Sequence, residues 1–170
     1  MEELRKRSEI PKEDCWDITK IIKDDEEYQS LISLVKEENK KVVALKGHIL
    51  DSEKTLEDYL RANEKEERAY VKLLLYTRFW YDEDTRNNEA KKRMLEVENL
   101  GNLLSESESF VTSEFMEKDL DDALKLLKDE TYALYLKRLY KNKKRILSQK
   151  EEEIITSALN AFGTPDEAFT

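Results

Sequence analysis

Apolar residues recur along this chain at three- and four-residue intervals, with charged residues between them. Tyr28, Leu31, Ile32, Leu34, Val35, Val42 and Val43 follow a period near 3.6 and predict a helix that starts after Asp24 and stops at Gly47. Asp24 with Glu27 three residues on is a capping-box pattern, and Gly47 suits the left-handed turn that ends a helix. Leu56, Tyr59, Leu60, Tyr70, Leu73, Leu74, Thr77 and Trp80 predict a second helix from Ser52 to about Tyr81. Asp82-Glu83-Asp84 breaks that pattern. Asp84 is the expected cap of a third helix bearing Ala90, Met94, Val97, Leu100 and Leu104, with a kink or an end at Ser105, Ser107 and Ser109. Shorter helices are predicted over 113–128, 131–144 and from Ser148 to Gly163. The heptad pattern is not sustained, which disfavours a two-stranded coiled coil. An all-α fold results, an irregular antiparallel bundle of about six or seven helices.

Composition supports this reading. Among 170 residues there are only 3 Gly and 2 Pro, against 41 % charged residues. That leaves little material for the tight turns of sandwiches and barrels or for Gly-rich phosphate loops. The 30 basic and 39 acidic side chains nearly cancel, and two Trp, eight Tyr and five Phe need burial, so the charge does not signal disorder.

Charge and cysteine content narrow the function classes. A net charge of −9 disfavours duplex nucleic acid and anionic membrane surfaces as partners. No apolar run approaches the ~20 residues of a spanning helix, and the opening residues lack the apolar core of a secretory signal. The lone Cys15 cannot form an internal disulfide, which fits a reduced, cytoplasmic setting.

Catalytic chemistry is sparse. His48 is the one histidine, so the two-histidine helix pattern of a zinc peptidase and the paired Glu-x-x-His motifs of a di-iron bundle are both out of reach. His48 reads as a partly exposed loop residue, and nothing places Cys15 beside it. Runs such as Glu151-Glu152-Glu153 read as solvated helix faces. The basic tail 137–145 offsets a helix dipole. Tyr132, Tyr135 and Tyr140 beside it read as core rather than as a stacking ladder for single strands. Trp16 is expected to pin the polar N-terminal arm to the bundle, with Asp17 or Thr19 capping a short turn. No catalytic, metal-binding or substrate-binding residue is assigned in this chain. At the other end, Thr164-Pro165-Asp166-Glu167 carries the signals of a helix start, and the chain stops within two turns. The expectation is that 1–23 is an arm docking on the bundle, 24–163 the helical unit, and 164–170 the start of a truncated next helix.

Several motifs together resemble a known family. Arg7-x-Glu9-Ile10-Pro11, Cys15-Trp16-Asp17-Ile18-Thr19 and the acidic start Asp24-Asp25-Glu26-Glu27 are similar to the opening of oligoendopeptidase F. Tyr81-Asp82-Glu83-Asp84-Thr85-Arg86-Asn87-Asn88 resembles that family's Tyr…Asp-Glu-Asp-Thr-x-Asn segment. Lys46-Gly47 with Ser52 and Leu56 resembles its Gly-x-Leu…Ser…Leu connection, and Tyr132-x-x-Tyr135-Leu136 through Leu147-Ser148-x-x-Glu151-Glu152 a later stretch. Two departures are Arg145, where the family often has His, and Cys15, where Thr or Tyr is usual.

The resemblance implies the N-terminal helical lobe of a cytoplasmic zinc metallopeptidase that hydrolyses oligopeptides. The lobe would wall the substrate channel. The catalytic lobe, with its His-Glu-x-x-His helix and zinc, would lie outside this chain and be its partner. The alternative is a free-standing helical interaction or scaffold module, presenting an exposed apolar stripe along 56–80.

Overall fold

A computed structural model describes residues 10–127 and 129–141. Within them six α-helices follow one another: α1 Asp25–Ala44, α2 Glu53–Glu83, α3 Asn88–Ser107, α4 Phe110–Met116, α5 Leu120–Leu126 and α6 Ala133–Lys141. Short 3-10 turns occur at Lys12–Asp14, Ile18–Lys20 and Glu130–Tyr132, and the described residues contain no strand. The all-α reading is therefore correct. The helix expected from Ser148 and the start at Thr164 lie outside the described residues.

The caps show why the first helices begin where they do. Asp24 accepts a bond from the Glu27 amide (2.9 Å), but Glu27 reaches back past the cap to the Lys23 amide (2.8 Å) and across to Lys72. Ser52 and Thr55 form a reciprocal capping box at the start of α2. Asp84 does not cap α3, as the sequence had suggested. It closes α2 and holds the Arg86 backbone amide and guanidinium, and the cap passes to Asn87, whose side chain accepts from the amides of Glu89 and Ala90. The turn Asp84-Thr85-Arg86 is closed by a bond from the Asn87 amide to the Asp84 carbonyl, which moves the helix start three residues on.

The single helix expected over 113–128 is two helices. Asp119 stands in an extended conformation between α4 and α5, so α5 is restarted rather than continued. The serine-rich stretch ends α3 at Ser107, whose hydroxyl donates to the Leu104 carbonyl.

α2 is the axis of the fold. At 31 residues it spans about 46 Å, and α1 and α3 both pack along it. Tyr28 meets Tyr76 at one end of the α1–α2 pair, and Val42 shares a core with Leu56 and Tyr59 at the other, so the pair is antiparallel. Two apolar cores result. One gathers Ile22, Tyr28, Ile32, Val35, Leu73, Val97 and Leu100 around the second half of α2. The other gathers Val42, Ile49, Leu56, Tyr59, Phe115, Leu136 and Tyr140 around its first half, closed by α4, α5 and α6.

Gly101 of α3 lies against the ring of Tyr70 of α2. A Cβ there would collide with the hydroxyl of Tyr70 and stand 2.8 Å from the ring carbon that bears it. Alanine is the better helix former by roughly 1 kcal/mol, yet the tyrosine ring has to move as a whole to admit it. Gly101→Ala is therefore expected to destabilise the chain by about 1–3 kcal/mol in urea unfolding. Combining it with Tyr70→Leu, which removes the end of the ring, should recover most of that loss.

Candidate functional site

The residues singled out in the sequence do not converge. His48 is exposed on the α1–α2 connection, with Nδ1 2.7 Å from the Asp51 carboxylate. The Cys15 thiol donates to the Pro11 carbonyl (3.3 Å) within the N-terminal arm. Among the described residues no group of three or more His, Cys, Asp or Glu is placed to hold a metal ion. The donor set here therefore does not fit a zinc site.

The tyrosines beside the basic tail are structural, as read. Tyr140 is buried and donates to the Phe115 carbonyl (2.6 Å). Tyr135 and Tyr59 share a hydroxyl–hydroxyl bond (3.1 Å), and burial pushes both phenols above their usual range. Tyr132 donates to Glu64 (2.8 Å), which with Arg68 holds that carboxylate below the ordinary range. Residues 142–145 of the basic tail and Glu151 to Glu153 lie outside the described residues.

Trp16 corrects the expectation of a buried anchor. Its ring packs on Phe79 at 5.1 Å but stays 58 % exposed. The arm is fastened instead by Ile22, which is 1 % exposed in the α1–α2–α3 core, with Ile18 and Ile21 packed beside it. Asp17 precedes the 3-10 turn without capping its backbone; its carboxylate takes the Thr19 hydroxyl.

The apolar stripe anticipated along 56–80 also resolves differently. Leu56, Tyr59, Leu60 and Leu73 are consumed by the chain's own cores. The face of α2 left to solvent carries Val71 (41 % exposed) and Leu75 (44 %), next to Ile21. These three line an open groove of about 510 Å³ rimmed by Glu64, Glu67, Arg68 and Lys72. The buried residues repeat on one side of α2, so Val71 and Leu75, four apart, fall on the other; the same count could have found them in the sequence.

A second groove, about 880 Å³, runs between α1 and α3. At its end Arg93 stacks over Tyr28 (4.6 Å to the ring centre) and Trp80 (5.4 Å), and pairs with Asp25 at 2.8 Å and Glu89 at 3.3 Å. All four of these partners come from the chain itself, so Arg93 is a staple between helices rather than a free anion receptor. The Tyr81–Asn88 motif has the same character. Arg86–Asp84 and the bonds from the α3 amides to Asn87 build the α2–α3 turn, while Asp82 pairs with Arg78 along α2.

Comparison with known proteins places this scaffold. The Oligopeptidase F family profile matches residues 114–170. The plasmid-encoded oligoendopeptidase F of Lactococcus lactis subsp. cremoris is 31 % identical over 97 % of this chain, which covers 28 % of that protein. Oligopeptidase PepF of Bacillus subtilis (strain 168) is 25 % identical over 99 % of the chain and 26 % of its own length. A crystal structure of a protein described as a peptidase, from Chlamydophila abortus, superposes with a TM-score of 0.72 at 23 % identity, over 98 % of this chain and 29 % of that one, and shows the same fold. The chain thus spans under a third of the length of these relatives. Over nearly its whole length the chain is similar to the N-terminal portion of oligoendopeptidase F proteins.

Proposed function

We propose that this chain is the N-terminal helical lobe of an oligoendopeptidase F-like zinc metallopeptidase of the cytoplasm. In this reading the lobe walls the channel that admits short unfolded peptides. Zinc and the hydrolytic residues belong to a catalytic lobe that this chain does not contain. The observation that carries the reading is the extent of the match: nearly the whole chain aligns to about a quarter of each peptidase relative. The solvent-facing Val71–Leu75 groove on α2 is consistent with a helical unit that leaves apolar surface for a second lobe.

The reading has a direct test. The purified chain, incubated with zinc and a quenched fluorescent oligopeptide, should show no turnover and retain no stoichiometric zinc after dialysis. The reading frame should continue past Thr170 into a His-Glu-x-x-His segment, and co-expression of that segment should produce peptidase activity. Turnover that survives repurification of the 170-residue chain, or a native stop codon directly after Thr170, would overturn it in favour of a free-standing enzyme or an interaction module.

A further inference from the structure

The two apolar cores are separated by a polar layer that crosses three helices at one level. On α2, Glu66 stands between Ala62 of one core and Ala69 of the other. On α1, Glu38 and Asn39 stand between Val35 and Val42. At the end of α3, Ser107 and Glu108 stand between Leu104 and Val111. Glu38 and Glu66 are each only 4 % exposed.

Hydrogen bonds tie the layer together. The Asn39 amide donates to the Ser107 hydroxyl (3.0 Å) and to Glu108 Oε1 (2.8 Å). Lys41 lies 2.6 Å from Glu38 and compensates its charge. Neither Glu66 nor Glu108 has an ion-pair partner among the described residues, and Oε2 of Glu66 is buried without a hydrogen-bond partner. Such an atom is costly as a carboxylate oxygen. It becomes a donor, able to bond the facing Glu108 carboxylate, once it carries a proton.

We propose that this layer is a proton-dependent hinge. A proton held between Glu66 and Glu108 clamps α2 to the α3–α4 junction; its loss sets two carboxylates against each other and lets the two cores move apart from one another.

The surroundings favour the protonated form. Burial first, and then the neighbouring Glu108 carboxylate, push the Glu66 carboxyl up to about 8 against an opposing pull from the Asn39 amide. Titratable groups stand beside it on three elements. From α1, Glu38 is held by Lys41. From α2, Tyr59 is a phenol kept neutral by burial. From the α3 end, Glu108 receives the Asn39 amide.

The sign of the linkage follows. Glu66 binds its proton more tightly folded than unfolded, so its contribution is complete below about pH 4.5 and declines as pH rises toward 8. The slope is up to about tenfold in the folding constant per pH unit across that window. The carboxyls that are lowered in the fold (Asp24, Glu27, Glu64, Asp129) lose stability only on acidification, outside this window.

The test is urea unfolding of the 170-residue chain between pH 6 and 8.5. The wild-type folding constant should fall by at least about tenfold across this range. Glu66→Gln, which mimics the protonated acid, should flatten the profile and be the more stable protein at pH 8.5. A direct ¹³C titration of the Glu66 carboxyl in the wild-type chain should give a midpoint above 6 and keeps the proposal testable if the variant fails to fold. Amides around residues 38, 66 and 108 should lose hydrogen-exchange protection at pH 8.5 before those deep in either core. An unchanged pH profile in Glu66→Gln, a carboxyl midpoint near 4.5, or loss of protection in all helices together would each overturn the hinge.

Discussion

Phe115→Ala is expected to cost about 3–5 kcal/mol and to undo the half of the molecule built around the start of α2. Phe115 is fully buried, with Tyr59 5.5 Å from its ring centre and Tyr140 edge-on at 6.4 Å. Its own carbonyl receives the Tyr140 hydroxyl. It therefore joins α2, α4 and α6. Those last helices are short: seven residues in α4, seven in α5 and nine in α6. Isolated helices of that length do not persist in water, so they depend on packing against Phe115 rather than on their own propensity. A loss of 3–5 kcal/mol is a large share of the ~5–15 kcal/mol that holds a domain of this size together. Truncating Leu73 instead opens the other core, around α1, α2 and α3. The two variants are distinguishable by hydrogen exchange. In Phe115→Ala the amides of α6 lose protection while those in the second half of α2 keep it, and in Leu73→Ala the order reverses. Equal loss across both cores in either variant would show a single cooperative core and defeat the division described here.

Much of this was legible in the residues themselves. The 3.6-residue period located α1, α2 and α3 because each buries a long, continuous stripe inside the bundle. Asp24 and Ser52 announced their helices because a short polar side chain before an apolar run has a specific bond to make. The split between α4 and α5 was not legible, since Phe115, Leu120, Ala123 and Leu124 continue one apolar pattern through a segment whose backbone breaks at Asp119. The transfer of the α3 cap from Asp84 to Asn87 depended on Arg86 claiming the earlier aspartate, a contact between side chains that local pattern does not encode. The Trp16 anchor misread a large aromatic as a buried one, whereas the arm is held by the smaller Ile22. The polar layer escaped for a related reason. In a chain with 39 acidic residues, nothing local marks Glu38, Glu66 and Glu114 as the ones the fold encloses.

Glu114 is where removing one of those enclosed carboxylates should be felt most sharply. The α1–α2 connection turns on Gly47, whose φ of +80° is the left-handed region that favours glycine. The turn leaves the amides of Gly47 and Ile49 pointing away from any helix. Both are taken by one carboxylate from the start of the other half of the chain: Glu114 Oε2 accepts from Gly47 at 2.9 Å and Oε1 from Ile49 at 2.5 Å. Lys118 one turn later donates to the Leu50 carbonyl, so α4 and the residues after it grip the connection from both sides. A charged acceptor bonded to two backbone amides contributes more than a neutral pair, and Ile49 is fully buried, so water cannot replace it there. Glu114→Ala is expected to destabilise the chain by about 2–4 kcal/mol, because it strands the Ile49 amide in the core. Glu114→Gln should cost somewhat less, about 1–3 kcal/mol, since its one carbonyl oxygen can satisfy one amide while its NH₂ faces the other. Urea unfolding gives the magnitudes, and exchange of the Gly47 and Ile49 amides gives the cause. Those two should lose protection beyond the global change in both variants, while Phe115→Ala leaves them no more exposed than its overall loss of stability requires. If the Ile49 amide keeps its protection in Glu114→Ala, the carboxylate is not what holds the connection, and the turn owes its shape to Gly47 and the packing of Ile49 and Leu50 alone.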